Sequence, residues 1–222
     1  MIIAEQKPLE EILRGLGACN RILLVGCRGC VTVCSAGGEK EVGILASLLQ
    51  LARQKQSRPI KIDQLTLERQ CDPEYVEVLV GKAAEYDAIL SMACGAGVQL
   101  VAETVHKTEV LPAVNTVFIG AAEAKGTWGE RCQACGDCKL EKTGGICPVT
   151  RCSKSIMNGP CGGSTDGKCE IDPEVPCGWQ LIVDRLEELG RLESVYEEIL
   201  PMSDWSRGRD GGPRKIVRDD LK

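Results

Sequence analysis

The chain has 222 residues, of which 43% are hydrophobic, 27% are charged and only 3% are aromatic. This composition is too apolar for a disordered chain, and the net charge of −5 argues against a nucleic-acid partner, since phosphate binding needs a basic surface. There is no long apolar run or basic leader, so we expect no membrane insertion and a cytoplasmic location. In that compartment the fourteen cysteines are expected to hold metal rather than to form disulfides.

Short aliphatic runs alternate with helical patterns in the first half of the chain. Strands are predicted at 21–26, 60–67, 87–92 and 115–119, and helices at 42–51, 73–86 and 97–106. Asp72 is the expected N-cap of the helix at 73–86, with Pro73 as its first residue. Because this alternation is typical of a parallel sheet with helices on both faces, we predict a Rossmann-like or flavodoxin-like α/β domain at residues 1–124.

The composition changes sharply after this domain. Residues 125–178 are rich in Gly, Cys, Pro and Lys and lack aliphatic periodicity, which predicts a cysteine-rich, ferredoxin-like cluster module held together by metal. Residues 179–200 predict two short helices. Residues 201–222 predict an extended, partner-binding tail, in which Trp205 either anchors in a pocket of the partner or packs on the chain's own helices.

Four cysteines are expected at the carboxyl edge of the predicted sheet. Cys27, Cys30 and Cys34 follow the first strand in a CxxCxxxC run, and Cys94 follows the third strand. Ligands of doubly wound folds bind where the carboxyl ends of the strands open onto one crevice, so these thiols predict a site for one metal cluster. Cys71, in the turn after the second strand, is either an alternative ligand or a thiol beside the site.

The second cysteine motif is stronger. A CxxCxxC run with a later Cys-Pro resembles the run of bacterial ferredoxins. Eight thiolates in this module suit two 4Fe-4S clusters, and they belong to Cys132, Cys135, Cys138, Cys147, Cys152, Cys161, Cys169 and Cys177. The chain is therefore predicted to hold two to three 4Fe-4S clusters, while the pairing of the eight cysteines is left open. Zinc bound by four cysteines in part of the module is the alternative.

The sequence gives little support to other chemistry. The single histidine, His106, lies on an apolar helical face, and Cys19 precedes the first strand, so both are predicted to be structural. No HExxH, GxSxG or Walker lysine motif occurs, and the glycines after Cys94 do not complete a GxGxxG fingerprint. We therefore expect no catalytic residue in this chain and no dinucleotide site.

The strings CQACGDCKLEKTGGICP and NGPCGG, followed by CGW, resemble the cysteine-rich C-terminal family of methylenetetrahydrofolate reductases. The strings CRGC, SAGG and MACGAG are similar to the rest of the small, MetV-type subunits of bacterial MetVF-type reductases. The resemblance implies an electron-transfer subunit, non-catalytic alone, that works with an upstream electron donor protein. It also implies a MetF-type partner whose flavin interconverts methylene- and methyl-tetrahydrofolate. The alternatives are a zinc-stabilised scaffold or regulatory subunit without electron transfer, and a corrinoid- or folate-handling methyltransferase component.

Overall fold

The computed structural model describes residues 1–204, 206 and 213–221 of the chain. It divides into two compact units, Met1–Trp128 and Gly129–Lys222. In chain order, the helices and strands are β1 (Ile2–Gln6), α1 (Leu9–Leu16), β2 (Arg21–Cys27), α2 (Cys30–Val33), α3 (Glu39–Lys55), β3 (Lys61–Leu67), α4 (Pro73–Val76), β4 (Ala88–Ser91), α5 (Gly95–Val105), β5 (Glu109–Pro112), β6 (Val114–Ala124), β7 (Thr127–Cys132), α6 (Pro148–Arg151), α7 (Gly178–Glu188) and α8 (Ser194–Glu197). The predicted anchor residue Trp205 lies outside the described residues.

A four-stranded parallel sheet forms the centre of the first unit, with the strand order β3-β2-β4-β5. From β2 the chain crosses first to β3 on one side and then to β4 on the other side. The carboxyl ends of β2 and β4 therefore flank the point where the direction of winding reverses, which is where ligands of such sheets bind. The predicted mixed α/β class with a parallel sheet is confirmed.

All residues of β2 after Arg21 are buried. Since successive side chains point to opposite sides of a sheet, β2 is covered on both faces. Ile22 and Leu24 belong to a buried cluster that also contains Leu45 and Leu49 of α3. Leu23 and Val25 belong to a second cluster, together with side chains of α4 and α5. Helices thus cover both faces of the sheet, as the alternating sequence pattern predicts.

A separate three-stranded sheet, ordered β1-β6-β7, corrects the prediction for residues 115–119. These residues lie in β6, which pairs antiparallel with β1 and does not extend the parallel sheet. Residues 115–117 are exposed, so β6 lacks the continuous burial of a central parallel strand. The fourth place in the parallel sheet belongs to β5, which is only half-buried and was not predicted.

The single helix predicted at 73–86 is wrong. Asp72 does cap α4, accepting a hydrogen bond from the backbone N–H of Glu74, but α4 ends at Val76. The chain continues in two short 3-10 turns, Glu77–Leu79 and Ala83–Glu85, with i to i+3 hydrogen bonds. Gly81 lies between these turns and disfavours a continuous α-helix there.

The second unit has a small core around α7, which buries Trp179, Ile182 and Leu186 together with Cys177. Helix α7 was predicted from this spacing. The second helix was predicted to be longer than the single turn of α8, and Tyr196 and Ile199 are 77% and 83% exposed. A longer helix there would bury little apolar surface, and isolated short helices are marginal. Within the described residues, no helix combines the length and the apolar character needed to cross a bilayer.

Candidate metal centres

The crevice at the carboxyl ends of β2 and β4 contains several thiols. Cys27 is the last residue of β2, and Cys30 begins α2 three residues later. Cys94 precedes α5 and occupies its N-cap position. The backbone N–H of Met92 donates to Val25 O over 2.8 Å, which holds the end of β4 against the end of β2. The predicted convergence of these strand ends is therefore present.

Gln70 is the residue that fixes the turn after β3 to this crevice. It is completely buried, and its Nε2 donates to Val25 O and Gly26 O over 3.0 Å each. Its Oε1 accepts a hydrogen bond of 2.6 Å from the hydroxyl of Ser91 at the end of β4. One side chain therefore joins the ends of two strands and fixes the position of the neighbouring Cys71. Sequence reasoning missed Gln70, because a single glutamine carries no motif.

We expect Gln70→Ala to destabilise the first unit by about 2–4 kcal/mol. It removes three hydrogen bonds and leaves buried polar groups unsatisfied, each worth roughly 1 kcal/mol or more. Urea unfolding, with hydrogen exchange of peptides from residues 68–76, measures the effect. Gln64→Ala is the matched control, because Gln64 is exposed on β3. Equal stability of the two variants would contradict the role assigned to Gln70.

Cys71 and Cys34 differ in their surroundings. Although Cys71 as a residue is exposed, desolvation raises the pKa of its thiol, and the neighbouring thiols of Cys94, Cys27 and Cys30 raise it further. Cys34 is buried, and its Sγ lies 3.7 Å from Ala4 O of β1. Its thiol lines a cavity of about 440 Å³ together with residues of β1 and β6. The structure therefore turns the thiol of Cys34 toward β1, whereas Cys71 directly follows Gln70, which is hydrogen-bonded to the ends of β2 and β4.

In the second unit, one cavity collects four of the predicted ligands. It has a volume of about 300 Å³, and its lining includes Cys132, Cys135, Cys138 and Cys147. Lys139, Leu140 and Val149 complete its polar and apolar walls. The backbone N–H of Ala134 lies 3.2 Å from the Sγ of Cys132 and donates to it. A loop with amide donors directed at sulfur is suited to an iron–sulfur cluster, since such hydrogen bonds stabilise thiolate ligands.

The other four cysteines are connected through residues 152–154, which follow α6. Cys152 follows α6, and a Cβ placed on Gly178 would lie 2.8 Å from the backbone nitrogen of Cys152, so Cys177 is brought close to it. The Sγ of Cys169 lies 3.4 Å from the hydroxyl of Ser153. The Nζ of Lys154 lies 3.9 Å from the Sγ of Cys161. Residues 152–154 therefore contact or neighbour each member of this second set.

The surroundings of Cys169 favour the ionised form of its thiol. The hydrogen bond between the side chains of Cys169 and Ser153 is the main cause that lowers the pKa of the Cys169 thiol, and Lys154 adds to it. Lys154 also forms an ion pair with Glu170. Thiolates are the form of cysteine that binds metals, so this environment suits a ligand.

Three of the four predicted ligands of the first unit, Cys27, Cys30 and Cys94, lie at the carboxyl edge of the sheet, and the role of all twelve as ligands stays a prediction. Across the described residues, no three His, Cys, Asp or Glu side chains meet closely enough to hold a single metal ion. In the first unit, Cys19 lies at the opposite, amino edge of the sheet, where burial and the nearby Asp87 and Glu109 raise its pKa. The grouping of the C-terminal eight into two sets was not visible in the sequence.

The protein thus combines an α/β unit that carries cysteines at its crevice with a cysteine-rich second unit. Residues 111–206 match the family model described as methylene-tetrahydrofolate reductase C terminal. The match covers 96 of the 222 residues and confirms the resemblance drawn from the cysteine strings of this segment. The comparisons with curated proteins and with solved structures gave no match.

Proposed function

We propose that the chain is the electron-transfer subunit of a methylenetetrahydrofolate reductase, similar to the MetV-type small subunits. The observation that carries the proposal is the cavity of about 300 Å³ lined by Cys132, Cys135, Cys138 and Cys147. It lies within the segment matched by the reductase family. A cavity with four thiols from a CxxCxxC run and a later Cys-Pro has the donor set of a 4Fe-4S cluster.

When bound, iron–sulfur clusters would accept and release single electrons. The residues of this chain supply the thiolate ligands and set the surroundings that tune such a group. The N–H of Ala134 donates to the Sγ of Cys132, while the ammonium groups of Lys139 and Lys154 form ion pairs with Asp137 and Glu170. Hydrogen bonds to a ligand sulfur raise the reduction potential of a bound group.

The proposal divides the work between two kinds of subunit. A MetF-type partner carries the flavin and the folate substrate, so hydride chemistry takes place there. This chain connects that flavin to an upstream electron donor protein. The cysteines of this chain are then needed to supply electrons from the donor protein. In the absence of this chain, the partner should still react with artificial electron donors.

The proposal predicts iron, labile sulfide and a visible absorption that dithionite bleaches in the anaerobically purified chain. Three sets of four cysteines predict about twelve irons per chain, since each 4Fe-4S cluster is held by four thiolates. Cys138→Ser should lower the iron content by about four per chain and slow reduction of the partner's flavin by the reduced chain. Iron and sulfide analysis and stopped-flow absorption measure both effects.

Cys19→Ser is the matched control, because it removes a thiol at the amino edge of the sheet, away from the three sets. It should keep the full iron content and the rate of flavin reduction. A colourless chain that binds about one zinc per set would overturn the electron-transfer proposal and favour the zinc-stabilised scaffold.

A further inference from the structure

Five cysteines of the first unit are candidates for the four ligands of a cluster at the crevice. Cys27, Cys30 and Cys94 lie at the ends of β2 and β4 or at the start of the following helices. The fourth ligand must come from Cys34 or from Cys71. The CxxCxxxC spacing alone favours Cys34, which follows Cys30 by one helical turn.

The packing around Cys34 opposes that choice. Cys34 is 7% exposed, and its Sγ lies 3.7 Å from both Ala4 O and Val31 O. The cavity that its thiol lines is bounded by β1, Phe118 and Trp128. To serve the crevice, this thiol would have to leave a packed site and expose the apolar side chains around it, which costs free energy.

The position of Cys71 has the opposite character. Gln70 is locked between Val25, Gly26 and Ser91, so the backbone that continues into Cys71 is held at the junction of β2 and β4. Cys27 lies on the same side, with its Sγ 4.0 Å from the carbonyl of Glu68 in the turn that leads to Gln70. Cys71 itself is exposed, so its side chain can turn toward a bound group without disturbing the core.

We propose that Cys71, and not Cys34, is the fourth ligand of the N-terminal site, together with Cys27, Cys30 and Cys94. The inference rests on the proposed function, because it takes the bound group to be an iron–sulfur cluster. Each of three chain segments would then contribute at the crevice: the β2–α2 loop gives two ligands, the turn after β3 gives one, and the N-cap of α5 gives one. Cys34 instead acts as a small buried side chain that packs against β1.

The test compares iron and sulfide per full-length chain in Cys71→Ser and Cys34→Ala, purified anaerobically beside the wild type. Cys71→Ser should lose about four of about twelve irons, that is, about a third, since one 4Fe-4S cluster is removed. Cys34→Ala should keep the wild-type content. Electron paramagnetic resonance of the reduced samples should lose one set of signals in the first variant only, and circular dichroism verifies that both variants are folded.

Each other outcome overturns the inference. Iron lost from Cys34→Ala, alone or together with Cys71→Ser, would make Cys34 a ligand. Full iron in both variants would make Cys71 dispensable. Failure of the broader proposal has a different signature, because the wild type itself would then lack iron and sulfide.

Discussion

Removing metal from the anaerobic chain should unfold the cysteine-rich segment and leave the first unit folded. Between Cys132 and Gly178 the only helix is the single turn of α6, and residues 165–176 add two isolated bridges. The buried apolar cluster of the second unit comprises Cys177 and three side chains of α7, whereas the first unit has two extensive clusters. Under the proposed function, metal–thiolate bonds would supply most of the folding free energy of this segment.

Limited proteolysis with mass spectrometry, before and after treatment with an oxidant and a chelator, measures the effect. Cleavage within residues 129–177 should accelerate by at least about a hundredfold, because a loss of about 3 kcal/mol already has that effect and structural metal contributes on the order of 10 kcal/mol. The first unit of the same chain is the internal control, and its cleavage should change little. Unchanged resistance across residues 129–177 after complete metal loss would contradict the prediction.

Gly37→Ala should be the most damaging single substitution in the first unit. A Cβ at this position would lie 1.9 Å from the carbonyl oxygen of Met92 and 2.9 Å from its carbonyl carbon. Both atoms are backbone at the end of β4, so relief requires that the loop after α2 move away from the strand. The N–H of Cys27 donates to Gly37 O over 2.9 Å, and this bond would be disturbed as well.

We expect a loss of about 4 kcal/mol or more in the free energy of unfolding, the range reached by severe steric changes in a core. The iron of the N-terminal site should fall in parallel. Gly43→Ala is the matched control: Gly43 lies within α3 with no atom within 4 Å of a new Cβ, so alanine should stabilise the helix by about 0.5–1 kcal/mol. Urea unfolding gives the free energy of unfolding of both variants. Equal values would contradict the close approach at Gly37.

The sequence predicted those elements whose apolar residues form a clear local pattern. The buried run of β2, the alternating residues of β3 and the helical spacing of α7 each identify their element without tertiary information. β5 escaped prediction because it is four residues long and only half-buried. The pairing of β6 with β1 also escaped, because antiparallel pairing between distant segments is decided by tertiary contacts rather than by local pattern.

The candidate sites were predicted in composition but not in detail. Cysteine spacing gave the predicted ligands, and the predicted parallel strands placed four of them at one edge of the sheet. Spacing could not show that Cys34 packs against β1, nor that Gln70 holds the turn containing Cys71, because both depend on contacts between segments far apart in sequence. The grouping of Cys152, Cys161, Cys169 and Cys177 around residues 152–154 is invisible in spacing for the same reason.

The N-terminal and C-terminal cysteine sites differ in how much folded structure each requires. Cys132, Cys135, Cys138 and Cys147 belong to one short stretch, so closing the loops between them costs little entropy and needs no folded domain. Cys27 and Cys94 meet only after the crossovers from β2 to β3 and from β3 to β4 are complete, which makes their contact a late, non-local event. A protein that delivers clusters would therefore encounter a short, locally closed loop at the C-terminal run and a completed sheet at the N-terminal crevice. Under the proposed function, the C-terminal run could therefore bind its group with little prior folding, whereas the N-terminal site requires the completed sheet.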